Sequence, residues 1–252
     1  MIYLLGGTKD SRKLIKKLLD FNYQIVVSVA TQYGKELLSD LKGVEVIANR
    51  LNQTEMEEVI EKYNVERVID ATHPFATLVS QTAMKAAEEK EINYLRFERV
   101  SVELPESDLI IERAGFESAL DYLNQTSGRI LLTIGSKELS QFVTEISDFN
   151  QRVISRVLPT AGVLKKCQKE LGISPANLIA IQGPFSRELN KQLLIDYDID
   201  LLVTKASGRT GGLNTKLKAA LELEIPVLVI RRPEVDYPQL VTNIQELLSQ
   251  LN

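Results

Sequence analysis

Val68-Ile69-Asp70-Ala71-Thr72-His73-Pro74-Phe75-Ala76 is the stretch on which the fold turns. Val68-Ile69 is an apolar pair of the kind that closes a buried parallel strand. Pro74 fixes its own φ, keeps His73 out of the α region and suits the first turn of a helix. The run therefore reads strand, polar turn, helix, the unit from which α/β sheets are assembled. Its turn sets Asp70, Thr72 and His73 at the carboxyl edge of a strand, where open α/β sheets keep their ligands. His73 is the only histidine of the 252 residues. Two roles stand open for it: a hydrogen-bonded residue that shapes the turn, or a carrier of protons near neutral pH. Asp70 is open in the same way, as a bracket for the turn or a participant in chemistry.

Outward from that turn the alternation continues. Strands are expected at 2–5, 24–29, 44–47, 67–69 and 93–96, with helices around 11–19, 34–41, 54–63 and 77–89. Leu14, Leu18 and Leu19 recur at helical spacing, as do Val79, Ala83, Ala86 and Ala87. Residues 98–115 break the rhythm with the polar, proline-containing Glu103-Leu104-Pro105-Glu106-Ser107-Asp108. After it come strands at 130–134, 153–155, 178–181, 201–203 and 227–230. Helices follow at 116–123, 137–143, 163–171, 187–195, 214–223 and 238–251. Alternation of this kind implies parallel strands with crossover helices. The expected architecture is α/β, two Rossmann-like domains with parallel sheets, residues 1–100 and 101–252, and a cleft between them.

Composition narrows the function classes. Apolar residues make up 44% and charged residues 25%, the profile of a globular protein with ample core. No apolar run is long enough to span a bilayer and no basic leader precedes the first strand, so neither membrane span nor signal peptide is expected. The single Cys167 has no intramolecular disulfide partner, which suits a reducing compartment, and a cytoplasmic location is expected. Thirty basic against 34 acidic residues give a net charge of −4, unsuited to general nucleic-acid binding. An anionic small molecule fits better, since a few cations can be gathered in one cleft. His73 and Cys167, far apart in sequence, supply too few soft ligands for a metal site.

Several strand ends carry candidate binding groups. Gly6-Gly7-Thr8 leads from the first strand into a helix, a phosphate cradle or simply a tight turn. It is not Gly-x-Gly-x-x-Gly, so the dinucleotide fingerprint is absent. The second strand ends in Ser28-Val29-Ala30-Thr31-Gln32-Tyr33-Gly34, with no acid for a ribose diol, which favours NADP over NAD or a different cofactor pose. Thr31 there is a cap or a phosphate contact. In the second half, Gly135-Ser136-Lys137 repeats the strand–glycine–helix pattern, and Arg156 follows a strand where it suits bidentate binding of a carboxylate or phosphate. The richest segment is Thr204-Lys205-Ala206-Ser207-Gly208-Arg209-Thr210-Gly211-Gly212-Leu213-Asn214-Thr215-Lys216. Glycines and cations together at a strand's carboxyl end point to an anion.

The order of these motifs resembles the precorrin-6A and cobalt-precorrin-6A reductases of cobalamin biosynthesis. The resemblance runs the length of the chain: Gly6-Gly7-Thr8-Lys9-Asp10-Ser11-Arg12, Asp70-Ala71-Thr72-His73-Pro74-Phe75-Ala76, Gly135-Ser136-Lys137, Arg156-Val157-Leu158-Pro159, Gly183-Pro184-Phe185-Ser186, Lys205 with Ser207, Gly208 and Lys216, and the closing 225–233. One departure stands at Ala206, where the family loop often has an aspartate. What the resemblance implies is NADPH-dependent reduction of one macrocycle double bond to give (cobalt-)precorrin-6B. It implies a tetrapyrrole substrate, and transient contact with neighbouring pathway enzymes is a further expectation. On that basis His73 and Asp70 are the catalytic candidates. Gly6, Gly7, Thr8, Thr31, Thr72, Gly135, Ser136 and Lys137 are the cofactor candidates. Arg156, Lys205, Ser207, Gly208, Arg209 and Lys216 are expected to meet substrate carboxylates. The alternatives are an NAD(P)-dependent reductase of another anionic small molecule and a non-catalytic nucleotide sensor. No Tyr-x-x-x-Lys pair is present, which disfavours the short-chain reductases.

Overall fold

The computed structural model describes residues 1–100, 103–206 and 212–251. The strands are β1 (Ile2–Leu5), β2 (Ile25–Val29), β3 (Val44–Ala48), β4 (Arg67–Asp70), β5 (Asn93–Phe97), β6 (Ile110–Ala114), β7 (Ile130–Leu132), β8 (Val153–Val157), β9 (Leu178–Ala180), β10 (Leu201–Lys205), β11 (Val227–Arg231) and β12 (Leu240–Val241). The helices are α1 (Lys9–Asp20), α2 (Gln32–Glu36), α3 (Gln53–Lys62), α4 (Thr77–Glu89), α5 (Gly115–Asn124), α6 (Leu139–Glu145), α7 (Phe149–Arg152), α8 (Ala161–Lys165), α9 (Arg187–Asp196), α10 (Leu213–Leu221) and α11 (Ile244–Ser249). Among the described residues no helix is long and apolar enough to cross a membrane.

Two units form, residues 1–100 with 234–252, and residues 101–233. The first holds a six-stranded sheet ordered β3-β2-β1-β4-β5-β12, parallel throughout. The second is ordered β9-β8-β7-β10-β11-β6, also parallel. Five strands of each follow the doubly wound order 3-2-1-4-5 in their own chain sequence. Such a sheet binds ligands where the order reverses. Those crevices lie at the carboxyl ends of β1 and β4 in the first unit and of β7 and β10 in the second.

The sixth strands are exchanged. β6 follows β5 along the chain yet pairs with β11, while β12 follows β11 yet pairs with β5. Neither strand was expected from sequence. β6 is a half-exposed edge strand carrying Glu112 and Arg113, inside the stretch read as a break. β12 is two residues long, too short for any periodic signal, and lies in what reads as one helix over 238–251. Burial decides its place: Val241 and Leu247 are fully buried with Leu95 and Phe97 in the first core. Residues 234–252, expected with the second domain, therefore complete the first sheet.

Both faces of the first sheet are covered, which explains its continuous apolar strands. Ile2 and Leu4 pack with Leu14 and Leu18 of α1, while Tyr3 and Leu5 face Met56 of α3 and Ala83 of α4. Leu14, Ile15 and Leu18 are fully buried, each contributing about 1.5–3 kcal/mol of transfer free energy. In the second unit Leu217 of α10 and Leu194 of α9 pack on Leu131, Leu202 and Val229.

Candidate active site

The first crevice opens where β1 runs into α1. The Gly6 N–H extends the ladder to the Ser28 carbonyl at 2.9 Å. Gly7 has φ 112°, a backbone that side chains rarely adopt, and a β-carbon there would meet nothing within 4 Å. Thr8 caps α1: its Oγ1 accepts from the Ser11 N–H at 2.9 Å and donates to the Ala71 carbonyl at 3.1 Å. That second bond ties the β1 turn to the β4 turn. Ser11 Oγ accepts from the N–H groups of Gly7 (3.2 Å) and Thr8 (3.0 Å) and donates to the Thr8 carbonyl (2.8 Å). The Gly7 and Thr8 amides, expected to face an anion, thus face Ser11. The cradle offers a ligand the open side of Gly7 and the positive end of the 12-residue α1. Replacing Ser11 with Ala orphans two turn amides, so a loss of about 1–3 kcal/mol is expected in urea unfolding. An unchanged midpoint would contradict this bonding.

At the end of β4, Asp70 is fully buried and saturated. Its Oδ1 accepts from the Thr72 N–H (2.9 Å), Thr72 Oγ1 (2.6 Å) and Arg96 Nη1 (2.7 Å). Its Oδ2 accepts from Ser80 Oγ (2.6 Å) and Tyr94 Oη (2.7 Å). Arg96, on the neighbouring strand and equally buried, also donates to Glu98 at 2.7 Å and to the Thr72 carbonyl at 3.2 Å. Burial disfavours the Arg96 charge, yet Asp70, Tyr237 and Glu98 hold its pKa above the ordinary value. Burial and then the Asp70 carboxylate push the Tyr94 phenol up, so it stays a donor. Tyr237, from the returning C-terminal segment, lies over the Arg96 guanidinium at 5.2 Å. The expectation of a catalytic Asp70 gives way here: with no exposed oxygen and five donors, it holds the turn. Thr72 is locked likewise, donating to Asp70 and accepting from Arg96 at 3.0 Å.

The network presents His73. Its ring is half-buried, Nδ1 accepts from the Phe75 N–H at 3.3 Å, and the ring sits 5.7 Å from that of Phe75. An Nδ1 that accepts leaves the neutral ring's proton on Nε2. The Ala76 N–H closes the turn on the His73 carbonyl at 2.8 Å, and α4 starts without a side-chain cap.

The second crevice is cationic. Arg156 is 8% exposed; its Nη1 donates to Asn190 Oδ1 on α9 at 2.9 Å and its guanidinium lies 4.5 Å from the Phe185 ring. Phe185 and Ser186, which caps α9 by accepting from the Leu189 N–H at 3.1 Å, belong to the Gly183-Pro184-Phe185-Ser186 motif. That motif thus frames Arg156. Lys216, 5% exposed on α10, donates to Thr204 Oγ1 at 2.5 Å and to Thr133 Oγ1 at 3.5 Å. Burial, then Arg156, then Lys205 pull its pKa down to about 7. Burial pushes Arg156 down to about 10. Lys205 lies 3.7 Å from the Glu138 carboxylate and 5.8 Å from the Phe116 ring.

The remaining expectations fare unevenly. Thr31 caps the five-residue α2, accepting from the Gly34 N–H at 3.0 Å. Gly135 has φ 83° with open space beside it, but the Ser136 and Lys137 carbonyls accept from Lys166 Nζ at 2.7 and 3.1 Å. α6 then begins behind the acidic Glu138. Ser207, Gly208 and Arg209 lie outside the described residues. Arg96, Glu98, Tyr94, Ser80 and Tyr237 were missed, although one signal existed: a charge inside the apolar strand Asn93-Tyr94-Leu95-Arg96-Phe97 demands a buried partner. Arg232, whose Nε donates to the Ala206 carbonyl at 2.9 Å, anchors the start of the glycine-rich loop.

Comparison with known proteins agrees over the full length. The family model described as "Precorrin-6x reductase CbiJ/CobK" matches residues 1–252. The cobalt-precorrin-6A reductase of Methanocaldococcus jannaschii is 37% identical, over 99% of this chain and 97% of that protein. The protein of the same name from Priestia megaterium is 34% identical, over 100% and 98%. The precorrin-6A reductase of Rhodobacter capsulatus is 27% identical, over 99% and 95%. Among solved structures, a CobK precorrin-6A reductase shares the fold with a TM-score of 0.79 at 24% identity, covering 99% of this chain and 95% of that one.

Proposed function

The chain belongs to the precorrin-6x reductase family, and from that premise we propose that it reduces one macrocycle double bond of cobalt-precorrin-6A with NADPH, giving cobalt-precorrin-6B and NADP+. The full-length family match carries this reading. The cobalt-bearing substrate is preferred because five relatives named for it are 32–37% identical, against 27% and 30% for two named for metal-free precorrin-6A. Metal-free precorrin-6A is the second candidate.

NADPH supplies a hydride when bound, and the chain's residues do the rest. The first crevice suits its pyrophosphate better than the second does. α1 has 12 residues and its positive end opens beside Gly7, with its first-turn Asp10 paired to Arg99 at 3.1 Å, whereas the second cradle leads through Glu138 into a seven-residue helix. Absence of an acid after β2 leaves room for a 2′-phosphate near Thr31. Asp70, Thr72 and Arg96 are positioning residues that fix the turn. His73, oriented by the Phe75 amide, is the proton donor or substrate orienter at the reacting carbon. Arg156, Lys205 and Lys216 meet substrate carboxylates, an arrangement an acidic protein achieves by gathering cations in one crevice. The lone thiol Cys167 and the NADPH requirement suit the cytoplasm.

Anaerobic NADPH oxidation with cobalt-precorrin-6A and precorrin-6A in parallel, against NADH, tests the reaction. Turnover of the cobalt substrate with NADPH is expected; turnover of neither overturns the proposal. His73→Asn is expected to lower kcat about 10²–10⁴-fold if the imidazole passes the proton. Near-normal kcat at saturating substrate would remove His73 from proton transfer.

A further inference from the structure

Taking the second unit's cations to hold an anionic group of the ligand, as the proposed function has it, we propose that Arg156 and Lys216 form a single proton-linked oxyanion site. In it Lys216 takes up a proton from solvent as a carboxylate or phosphate docks.

The two units handle buried cations in opposite ways. Arg96 in the first unit is fully buried against two carboxylates, Asp70 and Glu98. Arg156 and Lys216 are almost as buried, yet among the described residues neither has an ion pair. Their hydrogen-bond partners are the Asn190 amide and the Thr204 and Thr133 hydroxyls, all neutral. A buried charge without a counter-ion is strongly disfavoured. An anion supplied by the ligand removes that penalty.

Register places the groups on one row. Ser155, Leu132 and Val203 are partners across β8, β7 and β10. One residue further, Arg156, Thr133 and Thr204 come level. Neighbouring strands stand about 4.8 Å apart, so β8 and β10 are separated by roughly 10 Å. Lys216 reaches this row from α10, and Arg156 is held by Asn190 on α9, which packs against α10. Both cations therefore address the row from the same face, and Arg156 stands near enough to lower the Lys216 pKa.

The charged groups nearest Lys216 are cations, Arg156 and Lys205. Lys205, next along β10, adds a further positive charge and has Glu138 beside it, with Lys137 near. No described carboxylate is paired with Lys216. Burial, and then the neighbouring cations, hold its pKa at about 7, so above neutrality much of it is uncharged until an anion arrives. Bound oxyanion raises the pKa again, and the proton comes from water.

Calorimetric titration of the full chain with sulfate, which has no titrating proton in this range, reads the uptake directly. In two buffers of different ionisation heat at about pH 8, roughly one proton per sulfate is expected, with affinity falling towards tenfold per pH unit above neutrality. Lys216→Arg, permanently charged, is expected to bind without uptake, and Lys216→Met to bind at least about tenfold more weakly. No saturable binding, no uptake, or uptake persisting in Lys216→Arg overturns the proposal. Repeating the Lys216→Met measurement with NADP+ and with cobalt-precorrin-6A separates the sources. Weakening of the tetrapyrrole alone assigns the site to a substrate carboxylate, weakening of NADP+ alone assigns it to a cofactor phosphate, and weakening of neither overturns it. Sulfate-linked uptake without turnover of either tetrapyrrole would leave the site standing and defeat the reductase reading.

Discussion

Arg96→Met is expected to destabilise the first unit by about 3–5 kcal/mol, because it leaves Asp70 charged and buried with its cation gone. Asp70 sits at 0% exposure with Arg96 Nη1 2.7 Å from Oδ1, so water has no route to replace the guanidinium. Three hydroxyls and an amide remain, and they stabilise a carboxylate less than a cation does. Glu98 loses the Arg96 cation as well, now 2.7 Å away. Exchange of amide hydrogens in β4 and β5 reads this unit separately, which matters in a chain of two units that need not unfold together. Adding Asp70→Asn removes the stranded charge, and the double variant should recover a substantial part of the loss. A loss below about 1 kcal/mol, or additive losses, would show that the pair contributes little. Because the same bonds orient His73, turnover should fall in Arg96→Met even where the unit stays folded.

Lys216→Met carries the opposite sign for the free protein. Methionine of similar volume removes a desolvated charge that has only hydroxyl partners, so a gain of about 1–4 kcal/mol is expected near pH 6. The pH dependence follows from linkage. Lys216 has a folded pKa of about 7 against 10.5 ordinarily. Between these values the unfolded chain binds the proton and the folded chain does not, so wild-type stability rises with pH across that window. Below pH about 7 both states are protonated and the full burial cost is present. The advantage of Lys216→Met should therefore be largest near pH 6 and shrink by pH about 9, read as the difference in urea midpoints. A variant less stable than wild type near pH 6, or a gap that widens with pH, would contradict the picture. The gain comes with loss of ligand affinity, the usual exchange where a site is held strained until its ligand binds.

Much of this was legible in the order of residues. Apolar runs separated by helical spacing marked ten of the twelve strands among the described residues and the doubly wound class, because strand and helix periods are local properties. Gly6-Gly7-Thr8, the His73 turn and Arg156 could be placed at strand ends, and Lys216 in the helix after one, on the same ground. Tertiary structure decided the rest. Asp70 became a buried bracket only through Arg96, 26 residues on, and Tyr94, 24 on. The amides of the first cradle were claimed by Ser11, whose side chain sequence reading left unassigned. β12 was too short to announce itself and was fixed by the burial of Val241 beside Phe97. Arg96 and Lys216 look alike as letters, one long cation on a buried element. What separates them is which distant groups the fold brings against each, since a buried charge is defined by its neighbours and periodicity reports only its own segment.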